Sequence, residues 1–166
     1  LIVMDDADVD EAVALAVAGS YKNSGQRCTA VKRMLVHEKV AQAFADKLTE
    51  KTRALKYGDP TDPATDMGTV IDERAALQCE ARVNDAIARG GELRYGNERK
   101  GALYSPTLID HVKADWELVR EETFGPVSPI MRFSSIDEAI ALSNSTAFGL
   151  SSGVCTNRLD DVMRFV

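Results

Sequence analysis

The apolar positions of this chain follow two periods, and their succession sketches its elements. Leu1-Ile2-Val3-Met4 is a short apolar run of strand type, and Asp8-Val9-Asp10-Glu11 behind it has the spacing of a capping box with Asp8 as N-cap. Val9, Ala12, Val13, Ala16 and Val17 recur at i, i+3, i+4, i+7 and i+8, which predicts one buried helical stripe. The polar, glycine-bearing stretch Gly19 to Gly25 ends that helix. Met34–His37 predicts a strand, and Val40, Phe44 and Leu48 give the next helix its buried face up to Tyr57-Gly58-Asp59-Pro60. A loop rich in Asp, Pro and Thr runs to about Met67, a surface connection too short for a domain linker. Ala76, Cys79, Val83, Ala86 and Ile87 share a face of a third helix over Asp72 to Arg89, stopped by Gly90-Gly91. Short strands are predicted near Leu93–Tyr95, Leu103–Tyr104 and Thr107–Ile109, and a longer one over Val127–Phe133. Ser135-Ile136-Asp137-Glu138 is a second capping box, opening a helix to about Ser143. Gly153-Val154-Cys155 reads as a strand, and a last helix starts at Leu159. Strands alternating with helices predict a three-layer α/β domain, a mostly parallel, twisted sheet flanked by helices.

Composition changes this picture little. With 166 residues, 45% hydrophobic and 28% charged, the chain is an ordinary globular domain able to bury its own core. A net charge of −6, spread rather than blocked, argues against nucleic acid or an anionic membrane as partner. No apolar run approaches the ~20 residues of a membrane-spanning helix, and no signal peptide is visible. Three cysteines without a CxxC spacing point to a reducing, cytoplasmic setting. His37 and His111 lie far apart, so no metal site is expected. The chain opens without methionine inside a strand-like run and closes inside a helical pattern, which predicts a piece of a longer protein.

Candidate chemistry concentrates in two places. Asn23-Ser24-Gly25-Gln26-Arg27-Cys28-Thr29 puts a cysteine in a polar loop between a helix and a strand, where rigid elements present nucleophiles. Arg27, Lys32 and Arg33 lie within five residues, and nearby cations favour the attacking thiolate. The competing reading makes Cys28 one more small buried hydrophobe, against which its polar neighbours weigh. Cys79 lies on a helical apolar stripe and Cys155 in a strand pattern, so both are expected to be buried and inert. His37 and His111 read as surface residues, and neither is an obvious base. The second place is Arg120-Glu121-Glu122-Thr123-Phe124-Gly125-Pro126. A carboxylate two residues before an aromatic, followed by Gly-Pro, makes a rigid turn that can present both side chains to a ligand. Carboxylates accept hydrogen bonds from ribose hydroxyls in dinucleotide sites, and an aromatic can pack beside the sugar or nicotinamide.

In this order, about ninety residues apart, the two motifs resemble the aldehyde dehydrogenase superfamily across essentially the whole chain. The opening Ile2 to Asp10, the turn Ala147-Phe148-Gly149-Leu150-Ser151 and Val154-Cys155-Thr156-Asn157 agree. The resemblance implies the thiol-bearing catalytic domain, residues 1–166, of an NAD- or NADP-dependent enzyme that is a homodimer or homotetramer. Cys28 matches the family's nucleophile, Glu122 the carboxylate holding the nicotinamide ribose, and Phe124 the aromatic packed beside it. The family's general-base glutamate, in a Glu-Leu-Gly-Gly stretch, and most of its dinucleotide-binding domain are implied to precede residue 1. The isolated piece is then expected to be inactive, or to act only in assembly.

Arg27 bears on the substrate. A guanidinium next to the nucleophile suits an aldehyde whose far end is anionic, because Arg matches phosphate and carboxylate geometry. The alternative is that Arg27 only supports the loop or the thiolate. Gly25 to Arg33 resembles the family members acting on phosphonoacetaldehyde, on glyceraldehyde-3-phosphate without phosphorylation, and on lactaldehyde. Arg120 to Pro129 and Leu150 to Arg158 resemble the first most, implying oxidation of phosphonoacetaldehyde to phosphonoacetate in phosphonate degradation.

Overall fold

A computed structural model describes all 166 residues. The strands are β1 (Ile2–Val3), β2 (Met34–His37), β3 (Glu92–Tyr95), β4 (Arg99–Lys100), β5 (Leu103–Tyr104), β6 (Thr107–Asp110), β7 (Val127–Phe133) and β8 (Val154–Cys155). The helices are α1 (Val9–Tyr21), α2 (Glu38–Arg53), α3 (Glu73–Ala88), α4 (Glu117–Arg120), α5 (Ile136–Ser143) and α6 (Leu159–Phe165). Six strands form one sheet in the order β3-β6-β7-β2-β1-β8, and β4 pairs with β5 in a separate hairpin. Every pair in the large sheet is parallel except β3 with β6 at one edge.

Side-chain alternation along the strands splits the core into two layers. Val3, Met34, Val36, Leu108 and Ile130 face α1 and α2, packing with Ala12, Ala16, Phe44 and Leu48. Ile2, Leu35, Ile109 and Met131 face the other way, onto Cys79, Val83 and Ala86 of α3 and Leu118 and Val119 of α4. The expected three-layer architecture with a mostly parallel sheet is therefore present.

The two predicted caps form, and Asp72, expected only as a helix start, adds a third. Asp8 Oδ1 accepts from the backbone N–H groups of Asp10 and Glu11, Asp72 from Ala75, and the Ser135 hydroxyl from Glu138. One of the two histidines departs from its surface reading. His37 is buried, its Nδ1 accepts from the Lys39 N–H as the N-cap of α2, and its ring meets Phe133 edge-on at 5.3 Å. His111 is exposed as expected, in a left-handed turn at φ 58° after β6.

Candidate active site

The loop carrying Cys28 is built by what ends α1. That helix runs two residues beyond Gly19 to Tyr21, then tightens into a 3₁₀ turn over Lys22–Gly25. Asn23, Ser24 and Gly25 are successively left-handed, at φ 55°, 54° and 70°, a conformation costly for the first two. Tertiary bonds hold them there. Ser24 Oγ donates to the Gly68 carbonyl at 3.0 Å. Gln26 Oε1 accepts from the Ile71 N–H at 2.7 Å, and its Nε2 donates to the Thr69 carbonyl at 3.4 Å. At Gly25 the backbone itself needs the space, since a Cβ there would lie 2.2 Å from the carbonyl oxygen of Gly125. The two sequence motifs thus meet backbone to backbone. Cys28 and Thr29 follow this anchored turn and are exposed.

Each of the three cations near Cys28 has a distinct occupation. Arg27 turns back on the end of α1, donating to the carbonyls of Lys22 (3.2 Å), Ala18 (3.3 Å) and Gly19 (2.8 Å). Its Nη1 is left without a protein partner. Arg33 clasps the end of α5, donating to the Leu142 and Ser143 carbonyls at 2.9 and 2.8 Å. Lys32 alone reaches across to the second motif. Its Nζ donates to the Gly25 carbonyl at 3.0 Å, stands 3.7 Å from Glu122 Oε1, and lies 4.0 Å above the centre of the Phe124 ring. Burial lowers the Lys32 pKa, against the opposing pull of Glu122.

The segment bearing Glu122 and Phe124 is held from below by Arg82 of α3, whose part was not anticipated. The buried Arg82 guanidinium donates through Nη1 to the Glu122 carbonyl at 2.7 Å and to Thr123 Oγ1 at 3.1 Å, and through Nε to Glu117 at 3.2 Å. One signal for it existed. Arg82 sits inside the stripe of Cys79, Val83 and Ala86, and a charge in a buried stripe requires partners. Cys79 and Cys155 follow expectation in part. Cys79 is buried with its sulfur against Gly125, where a Cβ would come within 2.4 Å, and burial pushes its thiol up to about 11. Cys155 is half-buried on β8, and burial raises its thiol too.

A cleft of about 990 Å³ brings the pieces together. Cys28, Lys32, Arg33 and Glu122 line it together with the segment 147–153. Phe148 lies there 5.9 Å below the Arg33 guanidinium. Neither Arg27 nor Phe124 lines the cleft, and Phe124 meets it only through its contact with Lys32. The arrangement offers an exposed thiol for attack on an electrophile, with an exposed carboxylate and aromatic ring beside it for a polyhydroxyl ligand.

Comparison with known proteins gives this geometry a context. The sequence model of the aldehyde dehydrogenase family matches residues 1–166. A succinate-semialdehyde dehydrogenase [NADP(+)] of Mycolicibacterium paratuberculosis is 45% identical over 168 residues, which takes in 99% of this chain and 36% of the relative. A sulfoacetaldehyde dehydrogenase of Neptuniibacter caesariensis is 42% identical, over 96% of this chain and 35% of its own length. The crystal structure of a glyceraldehyde-3-phosphate dehydrogenase from Methanocaldococcus jannaschii, complexed with NADP, superposes with a TM-score of 0.94. It is 38% identical, over 99% of this chain and 36% of that one. The chain spans about a third of the length of these relatives.

Proposed function

The chain belongs to the aldehyde dehydrogenase family, and from that footing we propose that residues 1–166 are the thiol-bearing catalytic domain of an enzyme oxidising an aldehyde with an anionic far end, using NAD or NADP. The observation that carries this reading is the shared cleft, which Cys28 and Glu122 line together. Cys28 is its nucleophile. The Sγ thiolate bonds to the aldehyde carbonyl carbon to give a thiohemiacetal, whose oxyanion accepts from backbone N–H groups near Cys28. When bound, the nicotinamide cofactor would accept the hydride lost from the former carbonyl carbon, so that an acyl–Sγ thioester is left on Cys28. Water then cleaves the acyl–Sγ bond, releasing the carboxylic acid and restoring Cys28. Glu122 and Phe124 fit the cofactor's nicotinamide ribose. The carboxylate is 41% exposed and keeps oxygens free to accept from sugar hydroxyls, and the ring is 43% exposed.

The substrate reading rests on the neighbours. Succinate semialdehyde carries a carboxylate and sulfoacetaldehyde a sulfonate, and the relatives named for them are 45% and 42% identical to this chain. Within that class we place phosphonoacetaldehyde first, giving phosphonoacetate, with Arg27 as the candidate contact for the anion. It adjoins Cys28 in the loop but lies outside the cleft lining, with Nε and Nη2 committed to the end of α1 and Nη1 left to reach the anion. Steady-state kinetics of Arg27→Ala in the full-length protein test this. The kcat/KM for phosphonoacetaldehyde is expected to fall about tenfold more than that for a neutral aldehyde of similar length, the worth of one charge-assisted hydrogen bond. Loosening the end of α1 would slow both substrates alike, so equal losses assign Arg27 to loop support. If succinate semialdehyde or sulfoacetaldehyde is turned over faster than phosphonoacetaldehyde by the unaltered protein, the anionic class stands and the phosphonate falls.

A further inference from the structure

Lys32 has a role the cofactor reading does not supply. Its side chain is only 10% exposed and its ammonium has three neighbours, one from the nucleophile loop and two from the segment bearing Glu122 and Phe124. One proton goes to the Gly25 carbonyl of the nucleophile loop at 3.0 Å. The charge faces Glu122 at 3.7 Å and the Phe124 ring at 4.0 Å. The 3.7 Å separation matters. It is too long for a good hydrogen bond, so the ion pair orients the carboxylate without consuming the lone pairs a ribose would need. The same charge over the ring face fixes the aromatic by a cation–π contact. Arg82 holds the main chain of this segment, but no other cation touches the side chains of Glu122 and Phe124.

We infer that Lys32 is a positioning residue for the cofactor site, pinning Glu122 and Phe124 in a ligand-ready orientation and tying them to the loop that carries Cys28. The inference rests on the assignment of Glu122 to the nicotinamide ribose. It differs from the simplest view of a lysine near a catalytic thiol, in which its charge serves the thiol.

The test uses Lys32→Met, which keeps the stem and removes the charge, and Lys32→Arg, which keeps the charge, in the full-length protein. Dissociation constants for NAD and NADP are measured by calorimetry, and Cys28 is followed separately by its rate of alkylation with iodoacetamide. Lys32→Met is expected to weaken cofactor binding about three- to tenfold, as for a partly screened ion pair. Cys28 alkylation should stay within about twofold of the unaltered protein, and Lys32→Arg should recover most of the binding. In a Glu122→Gln background the Lys32→Met effect should shrink to less than half, because Lys32 then acts only through the Phe124 ring and the Gly25 carbonyl. Slowed alkylation with unchanged cofactor binding would reassign Lys32 to the thiol and overturn the inference. So would additive losses in the double variant. Weakened binding in Glu122→Gln but not in Lys32→Met sinks the Lys32 inference alone, whereas no effect from Glu122→Gln sinks it together with the cofactor assignment.

Discussion

Three thiols in one chain meet three environments, and their reactivity should follow. Cys28 is exposed on an anchored loop, Cys155 is half-buried on an edge strand, and Cys79 is packed on Gly125. Burial holds the Cys79 thiol at about 11 and raises Cys155, so near neutral pH both remain protonated and unreactive. Mass-spectrometric mapping after brief iodoacetamide treatment should find Cys28 labelled severalfold faster than Cys155, and Cys79 last. Labelling of Cys79 at the rate of Cys28 would contradict the packing. In the full-length protein, Cys28→Ser should abolish aldehyde oxidation and leave folding intact. The residue scale also shows what a motif conceals. Gly25 and Gln26 were legible as part of a pattern, but the reason for them was not. Gly25 is required by the approach of Gly125, a hundred residues away, and Gln26 by the backbone of residues 69 and 71.

At the scale of elements, α3 does two jobs. Its apolar stripe closes the core on one face of the sheet, and Arg82 in that stripe supports the segment bearing Glu122 and Phe124. Arg82→Met should keep the packing volume but strand the Glu122 carbonyl and the Thr123 hydroxyl. A cost of about 1–3 kcal/mol in unfolding free energy is expected, measured by urea denaturation. A variant as stable as the unaltered protein would mean that water replaces the guanidinium without loss. Elements with a strong period or a cap were legible in sequence, and Val127–Phe133 matches β7 end to end. Two short elements, β4 and α4, were not. The two residues of β4 and the four of α4 carry too few positions to show a period, and they exist because β5 and Trp116 give them something to pair or pack with. Helix α2 runs from Glu38 to Arg53, short of the expected stop before Tyr57, and its last turns are held by buried threonines: Thr49 donates to the Ala45 carbonyl and Thr52 to the Tyr21 hydroxyl.

The whole molecule adds a clasp that joins the two ends of the sequence. Asp6 accepts from the Thr156 hydroxyl and the Asn157 N–H, both at 2.8 Å, and Arg158 bridges Asp5, Asp6 and Asp161. Arg158, followed by Lys39, holds the Asp5 carboxyl at about 2, below its ordinary 3.8, and Asp6 is lowered too. Because folding depresses these values, the clasp stabilises the protein above about pH 4 and loses that contribution as pH falls through about 2. Arg158→Ala should therefore lower Tm at pH 6, and the gap to the unaltered protein should narrow steadily between pH 4 and 2. A gap that persists unchanged at pH 2 would show that Arg158 acts through packing. The position of the cleft is also a property of the whole. It opens where the chain enters β1, β2, β7 and β8, at the amino ends of these parallel strands, contrary to the usual siting of ligands at the carboxyl ends.

The sequence by itself determined the local grammar of this protein: which stretches coil, which extend, where Asp8 and Ser135 cap, and which two motifs are the candidates for its chemistry. These are written in neighbours three or four residues apart, where periodicity and capping act. Only the tertiary structure decided the strand order β3-β6-β7-β2-β1-β8, because pairing depends on how helices cover both faces and not on any one strand. It also sorted the cations. Arg27, Lys32 and Arg33 were equivalent in sequence as charges near a thiol. Folding committed Arg27 to the end of α1 and Arg33 to the end of α5, and left Lys32 to join Gly25, Glu122 and Phe124. The reason is physical. A charge close in sequence acts on whatever lies within its reach in space, and the carbonyls and the carboxylate that took up these three cations were placed there by the packing of the whole sheet.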